Sequence, residues 1–124
     1  MVLNKLIWSQ YFQKKVTELC TRILGSKEVS GIYKITDLIT GQCYIGKSVN
    51  IADRWKQHCK CGLGIDAPAT NTLYNTMQRD GLQNFSFELL EQCSIENLDN
   101  KEAFWIKMFD SNIYGLNSNA GKKR

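Results

Sequence analysis

The sequence predicts an α+β fold, in which a small three-stranded antiparallel β-sheet is flanked by helices. Two β-rich segments, 31–36 and 42–47, lie on either side of a turn, and a third, 84–93, alternates apolar and polar side chains. Elsewhere apolar residues recur every three or four positions, as in amphipathic helices. With 124 residues, of which 43% are hydrophobic, the chain has the length and composition of one compact domain with one core.

The first predicted element is an extra N-terminal amphipathic helix over 4–24, which ends at Gly25. Two interpretations of its basic polar face remain open, because lysines there either follow a phosphate backbone or are simply solvated. We assign residues 1–29 to this helical extension and residues 30–124 to the main domain.

The β-rich segments GIYKIT and QCYIGK are separated by DLITG, whose Asp37, Thr40 and Gly41 favour a turn, so they predict a β-hairpin. A helix over 50–60 follows, with Asn50 as its N-cap and Asp53 at the position of a reciprocal cap. We therefore expect the hairpin to lead directly into a capped helix.

The second half of the chain predicts two more helices around the third strand. One helix covers 70–80, ends at Gly81 and has one apolar side, formed by Leu73, Tyr74 and Met77. In the strand that follows, Phe85, Phe87 and Leu89 point inward, and the last helix covers 97–109.

The charge distribution favours a polyanionic partner. The net charge is +4, but residues 1–62 hold ten basic and four acidic side chains, whereas residues 63–124 hold six and eight. The five cysteines are odd in number and form no CxxC pair, which is typical of reduced thiols in a cytoplasmic protein. Since no apolar segment approaches the roughly 18 residues of a spanning helix, we expect no membrane insertion and no secretion.

Three polar side chains fall on helix faces that should be apolar. Arg54 and His58 share a face with Ile51 and Trp55, and two inward cations require an anion. The alternative for the single histidine is a core residue satisfied by a hydrogen bond. Glu102 shares the face formed by Leu98, Trp105, Ile106 and Phe109, so its carboxylate needs a cation, a metal or a capping role, and Asp99 stands at capping-box spacing from it.

The hairpin carries two phenols, Tyr33 and Tyr44, which are either packing residues or functional groups. Gly31 and Gly46 beside them indicate a close approach, and Lys47 follows. Together with Arg54, His58 and Glu102, these groups could hydrolyse a phosphodiester: a carboxylate for a divalent metal, cations for the phosphate, and a phenol or imidazole for proton transfer.

These residues resemble the GIY-YIG nuclease superfamily. Segments 31–33 (GIY) and 44–46 (YIG) resemble the motif pair that names it, and 54–58 (RWKQH) its arginine-and-histidine helix. Segment 102–106 (EAFWI) resembles its metal-binding glutamate segment, and 114–117 (YGLN) its closing element. The resemblance covers about residues 30–121 and is greatest to phage and group I intron-encoded homing endonucleases, although Asn117 is followed by Gly121 and Lys122 rather than by two glycines.

The resemblance implies a metal-dependent DNA endonuclease that hydrolyses phosphodiester bonds with one Mg²⁺ or Mn²⁺ ion per active site. It implies Glu102 as the metal ligand, Arg54 as the phosphate clamp and Tyr33 as the general base, favoured as a phenolate by Lys47, His58 and the metal. The remaining implied residues orient the water or support the site; they are Tyr44, His58, Gly46 and Asn117. Which tyrosine is the base remains open.

Two other functions remain as alternatives. A chain of the same fold that binds DNA but cleaves it weakly or not at all would keep the basic half and lose the catalysis. A zinc-stabilised adaptor would use His58, Cys59 and Cys61, whose spacing departs from that of known zinc sites. Because one active site cuts one strand, double-strand cleavage would require a homodimer on the substrate, a second encounter or a turn of the enzyme.

Overall fold

Three strands form a single antiparallel sheet in a computed structural model of the chain, which describes residues 12–25, 28–64 and 71–117. The strands are β1 (Gly31–Asp37), β2 (Cys43–Ser48) and β3 (Phe85–Gln92), in the order β2-β1-β3. The predicted three-stranded antiparallel sheet with flanking helices is therefore confirmed. Its order makes β1 the central strand and β2 an edge strand.

The hairpin between β1 and β2 has the predicted turn. The Asp37 carboxylate accepts the backbone N–H of Ile39 at 2.9 Å, and Gly41 adopts a φ of 82° in the left-handed region, which glycine adopts without strain. The pairing sets Tyr33 opposite Gly46 and Ile35 opposite Tyr44, so Tyr33 and Tyr44 lie on the same face of the sheet.

Five helices surround the sheet among the described residues. They are α1 (Gln13–Leu24), α2 (Ile51–Gly62), α3 (Thr72–Asp80), α4 (Leu98–Phe109) and α5 (Ser111–Tyr114). The part of the predicted first helix before residue 12, and the basic residues 122–124 at the other end, lie outside the described residues. The side chain of Asn50 caps α2 as predicted, because it accepts the backbone N–H of Asp53 at 3.1 Å.

The helices bury the two faces of the sheet unequally. Against one face lies the larger cluster, whose members come from α1, α2, α3 and the strands and include Val16, Tyr33, Trp55, Met77 and Phe87. Against the other face lies a smaller cluster around Ile32, Ile45 and Leu98, to which α4 adds Trp105 and Ile106. Side chains of β1 alternate between the two clusters, as the pleat requires.

The start of α4 differs from one alternative that the sequence left open. The N-cap is Asn97, without a side-chain cap, so Asp99 already lies inside the first turn. Its carboxylate binds the ammonium of Lys47 instead. The capping-box interpretation of Asp99 and Glu102 is therefore wrong, because the helix begins before Asp99.

The chain continues from α4 into a short helix that the sequence did not predict. Asp110 separates α4 from α5 with a φ of 52°, the left-handed conformation that asparagine and aspartate tolerate best after glycine. None of the described helices combines the length and the apolar character that a membrane span would need.

Candidate active site

Two hydrogen bonds link three buried side chains beneath the hairpin. The Tyr33 hydroxyl and His58 Nε2 lie 2.6 Å apart, and His58 Nδ1 and the Tyr74 hydroxyl lie 2.8 Å apart. Tyr33 comes from β1, His58 from α2 and Tyr74 from α3, so three elements meet at one imidazole. Both ring nitrogens of His58 therefore have a phenol as partner.

Arg54 lies on the solvent side of these three linked side chains. It lies one turn before His58 on α2, and its positive charge partly offsets the increase that burial causes in the pKa of both Tyr33 and Tyr44. Arg54 as a residue is exposed, whereas His58 is buried. The prediction that His58 points inward with Trp55 is confirmed, but the same prediction for Arg54 is wrong, because Arg54 is exposed at the rim of the site.

Burial determines the protonation of His58. Burial first, and the positive charge of Arg54 second, lower the pKa of His58 from its ordinary 6.5 to about 3. The imidazole is therefore neutral at pH 7, and the expectation of two inward cations is wrong. His58 therefore matches the alternative of a buried histidine satisfied by hydrogen bonds, and one of its two partners, Tyr33, is a predicted site residue.

The two hairpin phenols are also uncharged. Burial raises the pKa of Tyr33 well above its ordinary value, and Arg54 offsets only part of this increase. Burial likewise raises the pKa of Tyr44. The expectation that the neighbours favour a phenolate at Tyr33 is therefore wrong for the free chain, and Lys47 is bound to carboxylates instead of supporting it.

The two predicted glycines allow the close approaches that the sequence indicated. A Cβ at Gly46 would overlap the ring and hydroxyl of Tyr33 on the neighbouring strand. A Cβ at Gly31 would overlap the backbone carbonyl of Glu91 on β3. Gly46 thus gives the Tyr33 hydroxyl the space that it occupies.

Glu102 reaches the same edge of the sheet from α4. Its carboxylate is partly buried, and Lys47 Nζ on β2 lies 3.7 Å away. Burial raises the pKa of Glu102, an effect that the positive charge of Lys47 partly offsets. The negative charge of Glu102 in turn contributes, after burial, to the raised pKa of Tyr44, so the carboxylate acts electrostatically on one of the two phenols.

Asn117 fixes the outer edge of β2. Its Oδ1 accepts the backbone N–H of Ile45 at 2.8 Å and the hydroxyl of Ser111 at 2.6 Å, and its Nδ2 donates to the Ile45 carbonyl at 2.8 Å. The backbone N–H of Leu116 donates to the Cys43 carbonyl at 2.8 Å. Asn117 thus holds the strand on which Tyr44, Gly46 and Lys47 lie.

The segments that form this site coincide with a family pattern. Residues 29–115 match the GIY-YIG catalytic domain. The chain belongs to the GIY-YIG family. The match starts just before β1 and ends just after α5, so α1 lies outside the family pattern.

Similar proteins support this membership. Intron-associated endonuclease 1 of Enterobacteria phage T4 is 31% identical over 90 residues, which cover 71% of this GIY-YIG chain and 36% of the phage protein. The catalytic domain of homing endonuclease I-TevI has 27% sequence identity and a TM-score of 0.61, covering 70% of this chain and 95% of that domain. A variant of that domain with one glutamate replaced by alanine has 27% identity and a TM-score of 0.62, covering 74% and 96%. The predicted GIY-YIG enzyme fold and its similarity to homing endonucleases are confirmed.

Two carboxylates of the GIY-YIG site bind Lys47, of which Glu102 is partly buried and Asp99, one turn earlier on α4, is exposed. Within the described ranges, no three His, Cys, Asp or Glu side chains come together as a metal-binding group. Glu102 alone fits Mg²⁺, which often takes one or two carboxylates and completes its shell with water and substrate phosphate. A zinc ion shared by His58, Cys59 and Cys61 does not fit, because both ring nitrogens of His58 are hydrogen-bonded to phenols.

The structure places the predicted residues of this GIY-YIG site around the paired strands β1 and β2, and it adds two residues, Tyr74 and Asp99, that the sequence did not indicate as site residues. Tyr74 was predicted only as part of an apolar helix face, because a tyrosine at helical spacing does not differ from a core residue. Asp99 was considered only as a cap. The spacing of Asp99 and Glu102, one helical turn apart, could have indicated that both carboxylates face the same neighbour.

Proposed function

We propose that this GIY-YIG chain is a metal-dependent DNA endonuclease that hydrolyses phosphodiester bonds. The observation that carries the proposal is the hydrogen bond between Tyr33 and a neutral His58, with the exposed cation Arg54 one helical turn away on α2. A cation for a phosphate thus lies next to a proton acceptor, which is the pair that phosphodiester hydrolysis needs. The similar proteins named above are endonucleases, which supports the same reaction class.

We propose Glu102 as the ligand of one divalent ion, Mg²⁺ or Mn²⁺. Its raised pKa reflects a carboxylate that burial destabilises and that a further cation would stabilise. When bound there, the ion would act as a Lewis acid on the phosphate. Lys47, 3.7 Å from Glu102, would have to share the carboxylate with it.

Arg54 would bind a non-bridging oxygen of the scissile phosphate, because it is exposed and its positive charge acts on both Tyr33 and Tyr44. The negative charge that grows on the phosphate in the transition state would strengthen this contact. Tyr44, which is partly exposed, would orient the attacking water. Asn117 and Gly46 would keep β2 and the Tyr33 ring in register.

Tyr33 would take the proton of the water while its own hydroxyl proton passes to His58 Nε2, 2.6 Å away. The water oxygen then forms its bond to phosphorus as the leaving oxygen departs. His58 becomes an imidazolium in this step, and the negative phosphate offsets the charge that burial disfavours. This route does not require a free phenolate at Tyr33, whose pKa is raised well above its ordinary value.

The test is cleavage of supercoiled plasmid DNA with Mg²⁺ by the wild type, Glu102→Ala and Arg54→Ala. We expect each substitution to lower the cleavage rate by about 100-fold or more, since each removes a group that stabilises the transition-state charge. Glu96→Ala and Arg22→Ala are matched controls, because they remove the same charges at exposed positions outside the site. Equal rates in all the variants would contradict the proposal.

A wild type that binds DNA without cutting it would favour the alternative, a DNA-binding module of the same fold. Binding through phosphates would weaken steeply with salt, in a linear log–log relation. Product mapping also tests assembly: because one site cuts one strand, linear product that grows with protein concentration would support a homodimer on the substrate.

A further inference from the structure

His58 has one hydrogen-bond partner on each side of its ring, and both are hydroxyls. Nε2 faces Tyr33 at 2.6 Å, and Nδ1 faces Tyr74 at 2.8 Å. A neutral imidazole carries one N–H and one lone-pair nitrogen, so two arrangements of the protons are compatible with these distances. Only one of them leaves Nε2 able to accept the proton of Tyr33.

The surroundings of the two phenols distinguish these arrangements. Tyr33 is fully buried, so its hydroxyl proton has no access to water and needs an acceptor inside the protein, which the guanidinium of nearby Arg54 cannot provide. His58 Nε2 is in position to accept it. Burial first, and the neighbouring Cys61 second, raise the pKa of Tyr74, so the Cys61 sulfur lies near the Tyr74 hydroxyl. The hydroxyl can turn its proton toward this sulfur while its oxygen accepts the Nδ1–H of His58.

We propose that Tyr74 is a positioning residue of the active site, which holds His58 with its proton on Nδ1 and so keeps Nε2 open to Tyr33. This inference rests on the proposed function, in which His58 receives the proton of Tyr33. The logic is that of any catalytic base oriented by a third group, since the hydrogen bond made by one ring nitrogen decides the state of the other.

Tyr74 also stabilises His58 after the ring has taken up the proton of Tyr33. When Nε2 takes the proton, the ring becomes positive and its Nδ1–H becomes a stronger donor to the Tyr74 oxygen. Around the ring lie Tyr33, Tyr44, Tyr74 and Arg54, of which only Arg54 is charged. Among these neighbours, Tyr74 is thus the hydroxyl that stabilises the imidazolium from the side away from Tyr33.

The chain has one histidine, which makes a direct test practical. Full-length protein without a polyhistidine tag, labelled with ¹⁵N in histidine only, gives the ring signals of His58 alone. We expect the wild type to show a protonated Nδ1 and an unprotonated Nε2 at neutral pH. A protonated Nε2 in the wild type would overturn the proposal, whatever the variants do.

Tyr74→Phe then tests the role of the hydroxyl while keeping the ring. We expect the tautomer equilibrium to move toward protonated Nε2 by about tenfold, because Nδ1–H loses its acceptor. Thr76→Val is the matched control, since it removes a buried hydroxyl from the same helix, bound to the Thr72 carbonyl instead of to His58. Unchanged ring signals in Tyr74→Phe, or an equal change in Thr76→Val, would overturn the assignment.

Cleavage kinetics supply the second measurement. We expect Tyr74→Phe to lower kcat by about tenfold to 100-fold with little change in KM for DNA, because the buried Tyr74 supports the proton transfer and is not a DNA contact. Thr76→Val should keep both constants. The NMR measurement needs no DNA, so a wild type that fails to cleave DNA contradicts the endonuclease function and leaves the tautomer assignment standing. The wrong tautomer contradicts the role of Tyr74 and the proton route from Tyr33 to His58, and leaves the cleavage activity standing.

Discussion

At the scale of single residues, the site depends on how burial changes the pKa values of its side chains. His58 is 1% exposed and binds two phenols, so it stays neutral at a pH where a solvated histidine begins to take a proton. The same burial keeps Tyr33 protonated. The chemistry therefore begins from two uncharged groups 2.6 Å apart, and the positive charge of Arg54 at the rim lowers the pKa of both.

The first prediction at this scale concerns the pH dependence of stability. The pKa of His58 is about 3 in the folded chain and 6.5 in the unfolded chain, so below 6.5 the unfolded state takes a proton that the folded state refuses. As the pH is lowered from 6.5 toward 3, this group alone should therefore reduce the free energy of unfolding by about 1.4 kcal/mol for each pH unit. Urea unfolding followed from neutral pH to about pH 4 measures this slope.

His58→Gln is the control, because it removes the titrating group and leaves the carboxylates in place. The difference in slope between the two proteins isolates His58 from all other groups. Parallel curves for the wild type and His58→Gln would show that His58 takes its proton in the folded state at an ordinary pH.

Helical spacing was enough to single out Arg54, His58 and Glu102, because polar groups on an apolar face are visible in the sequence. Their protonation could not be predicted, since it depends on which side chains from other elements surround each group. Tyr74 illustrates the limit: its burial was predicted correctly, but its bond to His58 comes from the packing of α3 against α2, which no local pattern encodes.

At the scale of elements, β2 is the edge strand on which Tyr44, Gly46 and Lys47 lie. The unpaired backbone groups of an edge strand need partners, and residues 116 and 117 supply them to Cys43 and Ile45. The sequence predicted the strands and the longer helices from their periodicity. It did not predict α5, because four residues are too few for a period and Asp110 gives no glycine signal for the left-handed turn.

The prediction for this element is that Asn117→Ala destabilises the fold. The substitution leaves the buried N–H and carbonyl of Ile45 and the hydroxyl of Ser111 without their partner. Since each unsatisfied group costs about 1–3 kcal/mol, we expect the free energy of unfolding to fall by about 2–4 kcal/mol. Urea unfolding measures the loss.

Asn112→Ala is the matched control, because Asn112 is exposed on α5, a few residues from Asn117. We expect it to change the free energy of unfolding by less than about 0.5 kcal/mol. A loss of equal size in both variants would mean that Asn117 does not hold β2 through its amide.

At the scale of the whole molecule, α1 lies outside the family pattern but inside the core. The family match begins at residue 29, whereas Val16 and Cys20 on α1 are buried in the same cluster as Tyr33 and Trp55. The Cys20 thiol also contacts the carbonyl of Ala52 on α2 at 3.8 Å. The proposed boundary between residues 29 and 30 therefore separates two sequence patterns that share one hydrophobic core.

This sharing predicts that removal of residues 1–27 weakens the fold without removing the site. Two buried side chains lose their place and α2 gains exposed apolar surface, so the free energy of unfolding should fall by several kcal/mol, at about 1.5–3 kcal/mol for each side chain. The urea m-value should fall as well, because less surface is exposed on unfolding. All the proposed catalytic residues remain in the shortened chain, so plasmid cleavage should persist at a temperature where it is folded.

Val16→Ala in the full chain is the control that separates the loss of a packing contact from the loss of a chain segment. It should lower the free energy of unfolding by about 1–2 kcal/mol at an unchanged m-value. If the shortened chain unfolds at the same urea concentration as the full one, α1 does not belong to the cooperative core, and residues 1–29 are an independent extension.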